Sequence, residues 1–180
     1  MFCLPMLLSS PEYIIQTYKE WFERLVEKNN ENAGLNSYQD ISLMGIVRRF
    51  FQDSSIPNLP FLIGGVFLFG LQYLRIKEYK EVSFRLMLLA SVLIFTVIFS
   101  SGSESPTYII AFVGVAIWFV IQPKPISNFY IALFIFSLIL TSLSPSDLIP
   151  KYLKDNFIRP YALKALPCVL IWFAIVYEML

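Results

Sequence analysis

Residues 86–123 read LMLLASVLIFTVIFSSGSESPTYIIAFVGVAIWFVIQP. Two apolar runs, 86–103 and 105–123, are separated by a single charge, Glu104. An α-helix needs about 20 mostly apolar residues to cross the hydrocarbon core of a bilayer, and each run comes close to that length. Between them, Ser101-Gly102-Ser103-Glu104-Ser105-Pro106 carries the glycine, serines and proline of a tight reversal. The stretch therefore predicts two apolar helices joined as an antiparallel hairpin.

Three more uncharged windows lie on either side. Residues 54–74 end at Arg75, and residues 125–146 end at Asp147. Residues 165–177 are short alone, but 161–180 reach full length with Lys164 and Glu178 at opposite interfaces and Lys164 snorkelling. Pro57 and Pro60 stand at the start of the first window, where a missing N–H costs least. Gly64, Gly65 and Gly70 either let a neighbouring helix approach closely or are simply tolerated. Tyr73, Tyr108, Tyr130 and Tyr177 lie near window ends, where interfacial anchors sit, while Trp118 and Trp172 lie deeper. Hydrophobic residues make up 57% of the chain and charged ones 15%, with a mean hydropathy of +0.63. A soluble domain carries about a quarter charged residues. A buried soluble bundle is the alternative, but five such windows leave it too little polar surface. The predicted fold is all-α: a polytopic membrane helical bundle of about five transmembrane helices over residues 54–180, after an N-terminal region, residues 1–53.

That N-terminal region differs in kind. Tyr13, Ile14, Tyr18, Trp21, Phe22, Leu25 and Val26 recur at helical spacing, with Lys19, Glu20, Glu23, Glu27 and Lys28 mostly opposite them. The pattern predicts an amphipathic helix, which beside a membrane lies in the interface plane. Residues 40–51 form a second, shorter amphipathic segment containing Arg48 and Arg49. Residues 1–8 are apolar but too short to span, and they lack the charged start and small-residue cleavage site of a signal peptide. They read as the last turns of a membrane helix that begins upstream, which predicts the C-terminal part of a longer protein. A short chain with a flexible apolar start is the other reading.

Composition removes several chemistries. The net charge of +1 lacks the clustered cations that nucleic-acid binding needs. With no histidine, and with Cys3 and Cys168 far apart, neither a histidine-based triad nor a metal site is expected. No phosphate-binding glycine loop or dinucleotide fingerprint is present, so no cofactor is expected. No carboxylate pair is placed for acid–base work, and no catalytic residue is assigned.

Ionisable groups at the edge of a membrane are candidates for function. Glu104 is one, although Ser105 as a cap with Pro106 in the first helical turn would also favour a carboxylate there. Lys151, Lys154, Arg159 and Lys164 form a basic run beside Asp147 and Asp155. Such a run attracts a phosphate of lipid or substrate, or is ordinarily solvated against anionic lipid. Arg48 and Arg49 follow the same logic more weakly.

Four stretches carry a family likeness: residues 85–91 (RLMLLAS), 103–118 (SESPTYIIAFVGVAIW), 140–147 (LTSLSPSD) and 159–168 (RPYALKALPC). Together they resemble the C-terminal half of glycosyltransferase family 87, also called the domain of unknown function 2029 family, and its bacterial members most closely. The likeness covers the chain from about Pro11 to its end. It implies a GT-C class, polyprenyl-phosphate-mannose-dependent mannosyltransferase of the plasma membrane. Such an enzyme moves a hexose from a polyprenyl-phosphate donor to an acceptor outside the cytoplasm. The family's general base lies in an N-terminal external loop with no counterpart here. The likeness therefore implies a chain inactive alone, with the missing N-terminal part as its partner. It also implies that Glu104, Ser105, Lys151, Lys154, Arg159 and Lys164 meet the lipid phosphate or sugar. A non-catalytic integral membrane subunit is the alternative. A small transporter is disfavoured because no window carries a midplane charge.

Overall fold

The computed structural model describes residues 9–32, 34–35 and 39–180. The apolar start, residues 1–8, lies outside them. Among the described residues every regular element is helical. Helix α1 spans Pro11–Asn32 and α2 spans Leu43–Phe51. Helices α3 (Leu59–Gln72), α4 (Val82–Ile98), α5 (Tyr108–Val120), α6 (Asn128–Ser137) and α8 (Leu166–Met179) form the bundle. A π-helical stretch, Leu138–Leu143, prolongs α6, and α7 (Lys151–Leu153) runs into a second one, Lys154–Ile158.

The five windows become five helices, but shorter ones. Among the described residues, no helix is long and apolar enough to cross a membrane. The windows lose their ends to turns. Pro60 stands in the first turn of α3, so that helix starts at Leu59 rather than at residue 54. Ser105–Thr107 winds as a tighter 3-10 turn before α5. Helix α8 starts at Leu166 with Pro167 in its first turn, which corrects the placement of Lys164 inside the last span. Helix α4 departs the other way: it begins at Val82 and takes Arg85 into its first turn.

The hairpin of α4 and α5 is the centre of the bundle, and α8 packs against both. Ala90, Ile94 and Ile98 of α4 meet Ala111, Val115 and Trp118 of α5 and Ile171, Trp172 and Ile175 of α8 in one buried cluster. Trp172 satisfies its indole N–H on the Ser91 hydroxyl at 3.1 Å, as a buried tryptophan must. Gly114 is the closest approach of the two hairpin helices: a Cβ there would lie 2.8 Å from the Ala90 carbonyl oxygen. The three glycines of α3 divide. A Cβ at Gly65 would come within 2.6 Å of the Phe99 ring, while Gly64 and Gly70 have open space. Tyr108 is buried and donates to the Ile41 carbonyl at 2.9 Å, so it is a core residue and not an interfacial anchor. Met44 of α2 lies in the same cluster, which makes α2 part of the bundle.

Loops gather at two ends of the bundle. At one end Arg75 donates to the Met179 carbonyl at 3.2 Å, and Trp118 and Gln122 hold the Glu178 carboxylate at 3.2 and 3.0 Å. The other end carries the entry to α3, the α4–α5 turn and the long connection from the α6 extension to α8, and a cavity opens there.

Candidate functional site

The cavity has a volume of about 390 Å³ and four stretches of chain line it. Gln39 and Ile41 form one wall, Glu104, Ser105 and Pro106 a second, and Ser144 and Pro145 a third. Lys154, Ile158, Arg159, Ala162 and Lys164 complete it.

The first wall is fixed by a buried ion pair. Asp40 is 2% exposed and Arg48 3%, and their Nη1···Oδ2 distance is 2.7 Å. Arg48 also donates to the Ile56 carbonyl at 2.9 Å and to the Asn58 side chain. Ser42 accepts from the Gly45 N–H at 3.1 Å as the cap of α2, while its hydroxyl donates to Asp40. Gly45 lets the backbone of Asp40 come close, since a Cβ there would collide with the Asp40 carbonyl oxygen. Ile41 then donates its N–H to Ser103 at 3.0 Å, which joins this wall to the α4–α5 turn. Burial raises the Asp40 carboxyl above its ordinary value, against the lowering effect of Ser42 and Arg48. Arg48 and Arg49 are therefore internal braces, a correction to their reading as surface phosphate cations: both are buried, and Arg49 donates to the Asp40 carbonyl at 2.5 Å.

Lys164 forms the floor. It is 7% exposed. Its ammonium donates to the Ser105 carbonyl at 2.8 Å and to the Ser105 hydroxyl at 2.6 Å, and it lies 5.5 Å from the centre of the Tyr108 ring. These two bonds occupy two of its three donors. Burial lowers its pKa from 10.5 to about 8, because desolvation penalises the charged form. The expected role of Ser105 as a helix cap is corrected: its hydroxyl serves Lys164 instead.

The chain returns to Lys164 through irregular helix. Thr141, in the first π stretch, donates to the Lys164 carbonyl at 2.9 Å. After the second π stretch, Ala162 takes a left-handed φ of 50° while Leu163 donates to Ile158 at 3.0 Å. This is a left-handed helix stop usually given to glycine. It leaves Lys154 and Arg159 at the rim. Lys154 has 12% of its side chain exposed and a loose contact of 3.9 Å with Asp147. Arg159 is open and pairs with Asp155 at 2.8 Å. Glu104 is exposed and supplies the lining's carboxylate. Its backbone is held by Thr107, whose hydroxyl accepts the Glu104 N–H at 3.4 Å.

Five of the six residues singled out in the sequence thus line one cavity, and Lys151 is exposed outside that lining. Gln39 and Ile41, which form one wall, were not singled out for it. Nothing in their local pattern marks them, because Ile41 is held at the cavity by its bonds to Ser103 and Tyr108, which lie far along the chain. Among the described residues no cluster of His, Cys, Asp or Glu is suited to a metal ion. Chemically, the cavity offers three cations, hydroxyls and one carboxylate in a half-enclosed space, which suits an anion with polar substituents. Comparison with protein-family models, curated proteins and solved structures returned no match.

Proposed function

We propose that this bundle sits in a bacterial plasma membrane and that its cavity takes the phosphate of a polyprenyl-phosphate sugar. The chain then supplies the donor-binding part of a hexosyltransferase, with mannose the sugar that the family resemblance implies. The observation that carries this reading is the convergence of Lys154, Arg159 and Lys164 on one cavity beside Ser105 and Glu104. Fixed cations beside a leaving phosphate stabilise the charge that develops as the glycosidic bond breaks.

Embedding is supported by the surface. Leu59, Ile63, Val66 and Phe67 of α3 are 57–65% exposed, and Ile109, Val113 and Val120 of α5 are 50–77% exposed. Contiguous apolar surface of this kind marks a membrane or protein contact. Helices α3, α4, α5 and α8 have 13 to 17 residues, about 20–26 Å at the α-helical rise. That is less than a hydrocarbon core of about 30 Å. Local thinning of the bilayer and the flanking 3-10 and π turns accommodate such a mismatch.

The test is a titration of the chain in nanodiscs with farnesyl phosphate and with farnesol. The phosphate should bind and the alcohol should bind at least about tenfold more weakly, as expected for the loss of a charge-assisted contact. Lys164→Met should cost the phosphate about tenfold or more. Affinity should also fall as pH rises through about 8, where Lys164 loses its proton. The stability term has the opposite sense. Because the folded pKa is depressed, the Lys164 contribution is most favourable above 10.5 and is lost as pH falls through about 8. Lys164→Met should therefore not destabilise the fold at pH 7 while it weakens binding. Equal binding of farnesol, or unchanged binding by the variant, would sink the reading. It would favour a non-catalytic assembly module, which the uncovered apolar faces of α1 and α3 also fit.

Orientation has its own test. The family reading places the cavity end outside the cytoplasm, although nine of the 14 Lys and Arg lie on that side of the sequence pattern and the positive-inside rule would turn it inward. A reporter fused after Lys124 should report a cytoplasmic position, and an external one would overturn this orientation.

A further inference from the structure

Helix α1 takes no part in the cavity, yet its surface is strongly two-sided. Ile15, Trp21, Phe22, Leu25 and Val26 are 44–63% exposed. They lie on one helical face, whose three- and four-residue repeat runs on through Tyr18 to Ile14, which is itself buried. Among the described residues, no other helix packs along α1. The helix is not free to lie anywhere, however. The Asn29 side-chain oxygen accepts from the Ser101 hydroxyl at 2.6 Å and from Asn58 at 3.2 Å. Ser101 belongs to the turn that also carries Glu104 and Ser105, so the last turns of α1 are tied to the cavity end of the bundle.

The polar face argues for the kind of surface it meets. It carries Glu12, Glu20, Glu23, Glu27 and Glu31 against Lys19, Arg24 and Lys28, an acidic excess of two. Arg24 and Lys28 are committed to Glu27 and Glu31 at 2.8 and 3.2 Å. The helix therefore offers no basic cluster to anionic headgroups, which is the usual electrostatic attachment. Its apolar stripe, with tryptophan and phenylalanine, is the element left to bind.

We infer that α1 lies flat in the headgroup–acyl boundary of the leaflet into which the cavity opens, inserting Trp21, Phe22 and Leu25 and held by apolar burial rather than by anionic lipid. This rests on the membrane reading above, and Asn29 is the link that keeps the two at one level. A donor lipid in that leaflet would approach the cavity through a boundary layer that α1 already occupies.

The experiment uses the full chain, with Cys3→Ser, in phosphatidylcholine vesicles. Nitroxide labels are placed one at a time at Phe22, Leu25, Glu20, Arg24 and, on the exposed face of α3, Phe67. Buried Cys168 is retained. Labels at Phe22 and Leu25 should be several-fold more accessible to oxygen relative to a water-soluble nickel chelate than labels at Glu20 and Arg24. Adding phosphatidylglycerol or salt should not shift this ratio. If labels at Phe22 and Leu25 meet the chelate while Phe67 stays in lipid, the α1 inference falls and the membrane reading stands. If Phe67 also meets the chelate, both fall. Loss of oxygen access at Phe22 with spin–spin broadening would mean a second copy covers the face, and an anionic-lipid dependence would mean charge holds it. Either result overturns the inference.

Discussion

Asp40→Ala should lower the stability of the bundle by about 3–5 kcal/mol, the usual cost of removing one partner of a buried ion pair. The loss is large because the guanidinium of Arg48 would stay 3% exposed with its charge uncompensated. Three other contacts share the site: the Ser42 hydroxyl, the Arg49 bond to the Asp40 carbonyl and the Ile41–Ser103 bond. Asp40→Asn keeps the shape and most of the hydrogen bonds, so it should cost less. In Asp40→Ala/Arg48→Met the second change should recover part of the loss, since both charges then leave the interior. The pH dependence follows from the raised Asp40 pKa. A carboxyl raised on folding contributes stability that is fully present below its unfolded value and is lost as pH rises through the folded one. Relative to Asp40→Ala, the wild type should gain as pH falls through the folded value of Asp40 toward 3.8. Reversible unfolding in detergent by urea would measure these differences, and an Asp40→Ala cost below about 1 kcal/mol would show that the pair is not the brace described.

Gly114→Leu should be comparably severe. Even the Cβ of an alanine would press on the Ala90 carbonyl oxygen and on Ile94, both at 2.8 Å. Overpacking of this kind costs about 1–3 kcal/mol, which exceeds the roughly 1 kcal/mol that alanine gains over glycine in helix propensity. Leucine must separate α4 from α5 altogether. Gly64→Ala and Gly70→Ala make the internal control, because open space surrounds both positions. They should be neutral or stabilising by up to about 1 kcal/mol. If all three alanine variants behave alike, the close approach at Gly114 has no energetic weight.

The helical character of the bundle and the order of its helices are legible in the sequence because apolar windows interrupted by Pro, Gly and charge admit few other arrangements. Helix ends are not. Arg85 ends a window by charge but lies within α4, where its long stem reaches the surface from a helical position. Lys164 reads as a snorkelling residue of the last span. It folds back over Ser105 and Tyr108 instead, a contact made possible by the left-handed turn at Ala162 and the Thr141 bond. π-helical stretches leave no periodic trace that local reading detects. The candidate cations stand out as a run of charge, yet Lys151 in the same run lies outside the cavity lining. The wall of Gln39 and Ile41 depends on a brace that only the folded chain displays.

The brace also alters the charge argument about orientation. Of the nine cations on the cavity side, Arg48, Arg49 and Lys164 are buried. Removing these three leaves six against the five on the opposite side. Cations already neutralised or hidden inside the fold have little to offer a rule based on loop charge.

Helices α4 and α5 are separated only by residues 99–107, and their contact surface is the most extensive in the bundle. A short connection makes closure entropically cheap, and local contacts form early. Both hairpin helices also precede residues 154–164 in the chain, and so are synthesised first. The cavity is therefore completed late: a chain ending at residue 127 would hold both hairpin helices and two of the four walls, but none of the cations that the finished cavity presents.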